Sequence, residues 1–194
     1  MKSACRLFAV LLALPLASFA VERVLKPDPS ASYIEVDVGV TIGDFTARLE
    51  KYDLRVLAED KNDKKGIKSA TLTFKFADLK TGDSERDTHM IAWLGGNDPA
   101  GRFESGIVAL TPDGQGRVNG RLTFHGKTDL LEFPVNVTKS GEVYTITGEA
   151  VVDYRHFDLK VIRKAGLIKV DPNVKVRFKF TGALGEVVPP APKK

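Results

Sequence analysis

Cysteine is nearly absent: of 194 residues only Cys5 is one. Beyond that position there can be no disulfide, no thiolate nucleophile and no thiolate metal site. Stability must come from a packed core, which a chain of this length can supply. Long apolar runs are missing after the first twenty residues. Without about 18 consecutive apolar residues no transmembrane helix is expected, so the remaining chain should be soluble. An excess of one charge is missing too. The formal net charge is +4, and +2 without Lys2 and Arg6, so no nucleic-acid partner is expected. Between residues 30 and 184 there is no Gly/Ser or Pro tract and no fixed-period repeat, which points to one domain.

Several chemical signatures are also lacking. No G-x-S-x-G elbow exists for an α/β-hydrolase nucleophile. His89, His125 and His156 form no H-x-H or H-x-x-x-H pair, so a zinc site would need all three to meet from distant positions. No metal and no other cofactor is expected. Gly114, Gly116 and Gly120 give G-x-G-x-x-x-G, one residue too long for the dinucleotide fingerprint and ahead of a strand rather than a helix. They read as turn glycines.

What is present begins with an address. Lys2 and Arg6 precede the apolar run Leu7 to Leu16, and Ser18-Phe19-Ala20 offers small residues for cleavage. This is the tripartite pattern of a secretory signal peptide over residues 1–20. A periplasmic or secreted location is expected. Cys5 would leave with that segment. At the other end, residues 185–194 with Pro189, Pro190 and Pro192 read as a disordered tail.

Between the ends the dominant signal has period two. Ile34, Val36, Val38 and Val40 alternate with polar residues or glycine, Leu72, Phe74 and Phe76 with Thr71, Thr73 and Lys75, and Phe133, Val135 and Val137 with Glu132, Pro134 and Asn136. Tyr144, Ile146, Ala150 and Val152 share one parity, and so do Val174, Val176, Phe178 and Phe180. Each such strand has an apolar and a wet face, the pattern of antiparallel strands over one core. Further strands are expected over Phe45–Leu57 (with a turn or bulge inside), Gly101–Leu110 and Gly120–Phe124. Asp60–Gly66 reads as a charged loop, and Lys139–Glu142 as a hairpin turn. Seven or eight strands with short connections mean a sandwich or a barrel. The one helical candidate is Asp83–Leu94, with Ser84 as cap, Asp87 at the third position and Gly95-Gly96 as stop.

Two motifs then point to a family. Glu85-Arg86-Asp87-Thr88-His89-Met90 resembles the E-R-D-x-H-L signature of YceI-like proteins, and Leu122-Thr123-Phe124-His125-Gly126-Lys127-Thr128 resembles their L-T-x-H-G-x-T signature. Ser32-Tyr33-Ile34-Glu35-Val36 and Gly43-Asp44-Phe45 also fit, so the resemblance spans about residues 30 to 183 of an expected domain over 21–184. A family run I-x-R-x-D-F-G-I corresponds to Val152–Leu159 with departures: Tyr154 takes the Arg place, His156 the Asp place and Asp158 the Gly place. The resemblance implies an all-β, lipocalin-like antiparallel barrel of about eight strands with one short helical segment. It also implies a binding protein rather than an enzyme, holding a polyisoprenoid or similar long-chain lipid inside the barrel.

On that basis the expected lining is Ile34, Val36, Leu72, Phe74, Phe76, Phe124, Phe133, Ile146, Phe178 and Phe180, with Arg86, His89 and Tyr154 at the polar end. Alternation alone does not separate a filled core from a lined cavity; the resemblance favours the cavity. The rival is an enzyme acting on a small lipid or quinone through the Glu85–His89 cluster, although such charges on a short helix more often cap it or pair along its surface. The basic residues Lys175, Arg177 and Lys179, with Arg163, Lys164 and Lys169, read first as solvation and edge protection. A transient contact with a membrane surface is the further expectation.

Overall fold

Strands dominate the computed structural model, which describes residues 22–61, 64–164 and 168–187. In chain order they are β1 (Glu22–Pro27), β2 (Tyr33–Val38), β3 (Phe45–Leu49), β4 (Tyr52–Lys61), β5 (Lys64–Lys75), β6 (Leu79–Lys80), β7 (Ala100–Ser105), β8 (Val108–Ala109), β9 (Gln115–Phe124), β10 (Lys127–Ser140), β11 (Val143–Asp153), β12 (Arg163–Lys164), β13 (Ile168–Lys169) and β14 (Asn173–Val187). One helix, α1 (Ser84–Trp93), and two 3-10 turns, Phe76–Asp78 and Tyr154–Phe157, complete the described residues. The expected signal peptide lies outside them, as does 188–194 of the expected tail. β14 continues through Val187, three residues past the expected end of the domain.

Eight strands close into an antiparallel barrel in the order β1-β4-β5-β7-β9-β10-β11-β14, with β14 returning to β1. β14 is long enough for two partners on that edge. Its second half pairs with β1 (Leu25 opposite Leu184) and its first half with β2 (Ile34 opposite Phe178). From β2 the sheet continues to β3 and β6. The ladder breaks where the chain passes from β1 to β2, and a buried hydroxyl repairs it: the Thr181 N–H donates to Ser32 Oγ at 3.1 Å. On the outer face Arg177 holds Asp37 through two hydrogen bonds, 2.6 and 2.9 Å, and so ties β2 to β14.

The alternation read from the sequence sorts inside from outside. On β9, Val118, Leu122 and Phe124 are buried while Arg117, Asn119, Arg121 and Thr123 are exposed. The outer surface is therefore charged and the inner one apolar, the reverse of a transmembrane barrel with its apolar outer band. Two buried clusters occupy the two ends. Leu25, Val56, Ile67, Val108, Val118 and Val137 belong to the end carrying the β4–β5 and β10–β11 turns. Leu122, Phe124, Val152, Tyr154 and Phe157 belong to the other, joined by Leu94 just after α1. Phe157 is completely buried, a contribution of about 1.5–3 kcal/mol for a side chain of that kind.

Several local expectations need correction. The helix cap is Asp83 rather than Ser84: its carboxylate accepts from the Glu85 and Arg86 N–H groups at 2.9 and 3.1 Å. Asp87 is instead tied to Thr81, through the backbone N–H at 3.0 Å and the hydroxyl at 2.7 Å. The charged stretch 60–66 is mostly ladder, with Asp60 opposite Lys65, so the loop is shorter than expected. Phe76 and Tyr154 stand in 3-10 turns just beyond β5 and β11. Gly116 and Gly120 are strand residues of β9; Gly114, at φ +86°, is the one that turns.

Candidate functional site

The barrel is hollow. A cavity of about 860 Å³ runs down its interior, within the range of pockets that hold small ligands. Its walls are the inward faces of the strands. Val36, Leu54, Leu72, Phe74, Val176 and Phe178 point inward yet keep accessible surface, as a filled core would not allow. Along β14 the lining runs from Val174 to Phe180, about 20 Å at the usual rise of a strand. The cavity is blind. Val56, Ile67, Val108 and Val118 form its floor, and Leu25, Val137 and Leu184 pack beyond it.

Three glycines explain how a barrel so rich in phenylalanine stays open. Gly101, Gly120 and Gly148 face inward, and each lies under a ring from the neighbouring strand: Phe74, Phe103 and Phe178 respectively. A Cβ at any of them would fall closer to that ring than carbon atoms approach, so each ring rests flat on the wall where a side chain would otherwise stand. The rings then contact one another along the wall. Phe74, Phe76, Phe124 and Phe157 form one series, with centroids 5.2, 5.2 and 3.8 Å apart. Phe103, Phe133, Phe178, Phe180 and Tyr52 form a second, at 5.7, 5.9, 5.3 and 6.0 Å. All but the tight 3.8 Å stack of Phe124 on Phe157 fall in the range of favourable aromatic pairs, about 4.5–7 Å.

Polarity is confined to the mouth, with one exception. Ser105 lies at depth, and its Oγ accepts from the Ala70 N–H at 3.1 Å where β5 leaves β7. The charged lining residues are Asp83, Glu85 and Arg86 on the helix side and Lys160 and Arg163 on the facing side. Arg86 lies over the Phe45 ring, 4.1 Å from its centroid, and 3.7 Å from Asp83. His89 is exposed, with Nδ1 4.0 Å from Glu85. The Tyr154 hydroxyl donates to the Val170 carbonyl at 3.3 Å, and burial pushes its pKa up. The Trp93 indole N–H donates to the Lys160 carbonyl at 3.0 Å, which ties α1 to the facing segment.

All thirteen residues expected at the site border this one cavity: the ten apolar ones along its walls, and Arg86, His89 and Tyr154 near its mouth. Sequence reasoning missed Ile42, Phe45, Met90, Trp93 and Phe103, and the basic pair Lys160 and Arg163. For Phe103 a signal existed: glycine at inward parity beside phenylalanine on an adjacent strand. For Ile42 and Lys160 none did, because loop residues carry no period.

The other two histidines are structural. His125, at φ 50°, opens the β9–β10 turn, and its Nδ1 is 2.8 Å from the Phe157 carbonyl. His156 pairs with Asp129 at 2.8 Å, and that carboxylate raises its pKa. Asp158 takes a left-handed conformation, φ 58°, which accounts for glycine being usual at its place in the family run. Among the described residues no three His, Cys, Asp or Glu side chains converge on a metal site.

Solved structures share this architecture. BcnA of Burkholderia cenocepacia superposes with a TM-score of 0.67 at 20% identity, covering 81% of this chain and 100% of that one. A polyisoprenoid-binding domain from Saccharophagus degradans, implicated in plant cell wall breakdown, gives 0.59 at 15% identity, covering 86% and 100%. The Campylobacter jejuni YCEI protein gives 0.54 at 13%, covering 75% and 87%. At these identities the likeness speaks for the fold. None of the curated proteins matches the chain. The family model of the YceI-like domain matches residues 25–182, the whole barrel apart from its outermost strand ends, and the chain belongs to that family.

Proposed function

We propose that the protein is exported and holds a polyisoprenoid or similar long-chain lipid in the barrel cavity. The observation that carries this reading is the blind apolar cavity of about 860 Å³ with its charge gathered at one mouth. A flexible hydrocarbon chain suits such a space: each methylene taken from water contributes about 0.8 kcal/mol without any directed contact. A head group would stay at the mouth, where Arg86, Lys160 and Arg163 can meet it. The polyisoprenoid-binding description of the Saccharophagus domain supports the same ligand class.

The rival enzyme reading draws less support. Asp87 is occupied by Thr81, and Glu85 and His89 stand exposed on the helix surface, 4.0 Å from one another. The deciding experiment is mass spectrometry of an organic extract of the purified protein, where a long-chain lipid in near-stoichiometric amount is expected. Phe74→Asp with Phe178→Asp should lose that lipid. A folded double variant that stays loaded, or a wild-type extract without lipid, would overturn the assignment. Export is read separately, from an intact mass that places the mature N-terminus at Val21.

A further inference from the structure

The mouth of the cavity carries an unusual pairing of surface features. Ile42 borders the opening and is 71% exposed, one of the most exposed large apolar side chains among the described residues. It is held in place rather than dangling. The Thr41 N–H donates to the Lys169 carbonyl at 3.0 Å, the Lys169 N–H donates to Thr41 Oγ1 at 3.2 Å, and the Asp171 N–H donates to the Gly39 carbonyl at 2.8 Å. Ile42 is thereby fixed beside the β12–β13 hairpin, in which Arg163 pairs with Lys169.

That hairpin is cationic. From Leu159 to Asp171 the sequence carries Lys160, Arg163, Lys164 and Lys169 against one carboxylate, Asp171. Other basic residues at this end of the barrel have acidic partners: Arg86 has Asp83, Lys127 has Asp158 and Arg155 has Asp153. Lys160, Arg163 and Lys169 have none within ion-pair distance among the described residues. The three carboxylates nearest in sequence to this lip are engaged elsewhere: Asp44 accepts from Val40 N–H, Asp171 from Asn173 N–H, and Asp158 pairs with Lys127.

We infer that this lip is a docking surface for an anionic lipid bilayer, with Ile42 entering the interface and Lys160, Arg163 and Lys169 meeting the head groups. The inference rests on the lipid-holding reading above and names the surface from which the lipid is taken. An exposed apolar side chain beside a cationic hairpin is the chemistry of interfacial attachment, in which area and charge add. Its position at the opening matters as much as its chemistry. A chain passing from a docked mouth into the cavity stays out of water throughout. Ile107, 83% exposed, lies at the blind end and offers no such passage.

Two measurements test it. In the first, the protein is sedimented with vesicles of phosphatidylglycerol and phosphatidylcholine, or of phosphatidylcholine alone. Binding is expected only to the anionic vesicles, fading at high salt. Ile42→Ser and Lys169→Glu should each lower it several-fold. Lys139→Glu, an equal charge change at the opposite end, should not. In the second, loading with a fluorescent long-chain probe is followed from detergent micelles and from anionic vesicles. Lys169, which does not line the cavity, should matter only for the vesicles: K169E should load normally from micelles and several-fold more slowly from the bilayer. The docking inference is overturned if wild type ignores anionic vesicles, if K139E weakens binding as much as K169E, or if K169E loads equally fast from both sources. If the probe enters from neither source, the lipid-holding reading falls, and the sedimentation result still decides the docking.

Discussion

Gly101 and Phe74 face each other across β7 and β5, and the size of the cavity depends on that contact. The three atoms nearest a Cβ at Gly101 all belong to the Phe74 ring. Gly101→Val should therefore tip that ring into the lumen, its one free side. Overpacking of this kind destabilises by about 1–3 kcal/mol. The sharper expectation is functional: several-fold weaker loading of a long-chain probe in a variant whose circular dichroism is unchanged. Adding Phe74→Leu to G101V should restore the space. Equal loading of G101V and wild type would mean that the ring does not gauge the bore. Ser32 acts at the same scale by a different force. Replaced by Ala, it leaves the half-buried Thr181 N–H without that acceptor, a loss of about 0.5–1.5 kcal/mol readable from urea midpoints.

Among the elements, the 3-10 turn Tyr154–Phe157 has the most distinctive fastening. Asp153 caps it, accepting from Arg155 N–H at 3.0 Å, and the Arg155 guanidinium beside that carboxylate holds its pKa at about 2 against an ordinary 3.8. His156 is fastened in the opposite sense, its pKa raised by Asp129. The two signs give different pH windows. The Asp153 contribution is complete above the unfolded value near 4 and disappears as pH falls through about 2; Asp153→Asn should flatten the acid limb of stability between those limits. The His156 contribution is complete below its ordinary 6.5 and disappears as pH rises through the raised folded value. A proton NMR titration should place the His156 midpoint above 6.5 in wild type and closer to it in Asp129→Asn. Equal midpoints would remove Asp129 as the cause.

This element also marks where sequence reading stops. The strands with clean alternation, β9, β10, β11 and β14, were legible because one face of each is wet. β1 was not: ERVLKP sets Val24 beside Leu25 and ends in proline, and becomes a strand only because β4 and β14 each offer it an edge. Val152 to Leu159 gives no period-two sign of its break: β11 ends at Asp153, and the 3-10 turn that follows closes on the left-handed Asp158. For the site, the inward phenylalanines were visible. The space between them was not, since a filled and a hollow barrel share one alternation. The inward glycines at 101, 120 and 148 record the difference.

At the scale of the whole molecule, a hollow barrel has two interiors, one packed and one left for a guest. The packed end below Val56 and Ile67 is a fixed stop. Affinity should therefore rise with guest length only until the chain reaches it. For a homologous series of single-chain alcohols the expected gain is about fourfold per methylene. It should then level off sharply, because further methylenes must fold back or remain at the mouth. Filling the floor with Val108→Phe should move the levelling point to shorter chains without changing the slope below it. Because a guest that binds the folded state alone also stabilises it, by RT ln(1 + [L]/Kd), the melting temperature should follow the same series with the same break. A gain that continued smoothly past any length, or a V108F variant with the wild-type break, would mean that the guest does not lie along the barrel axis with its tail at the floor.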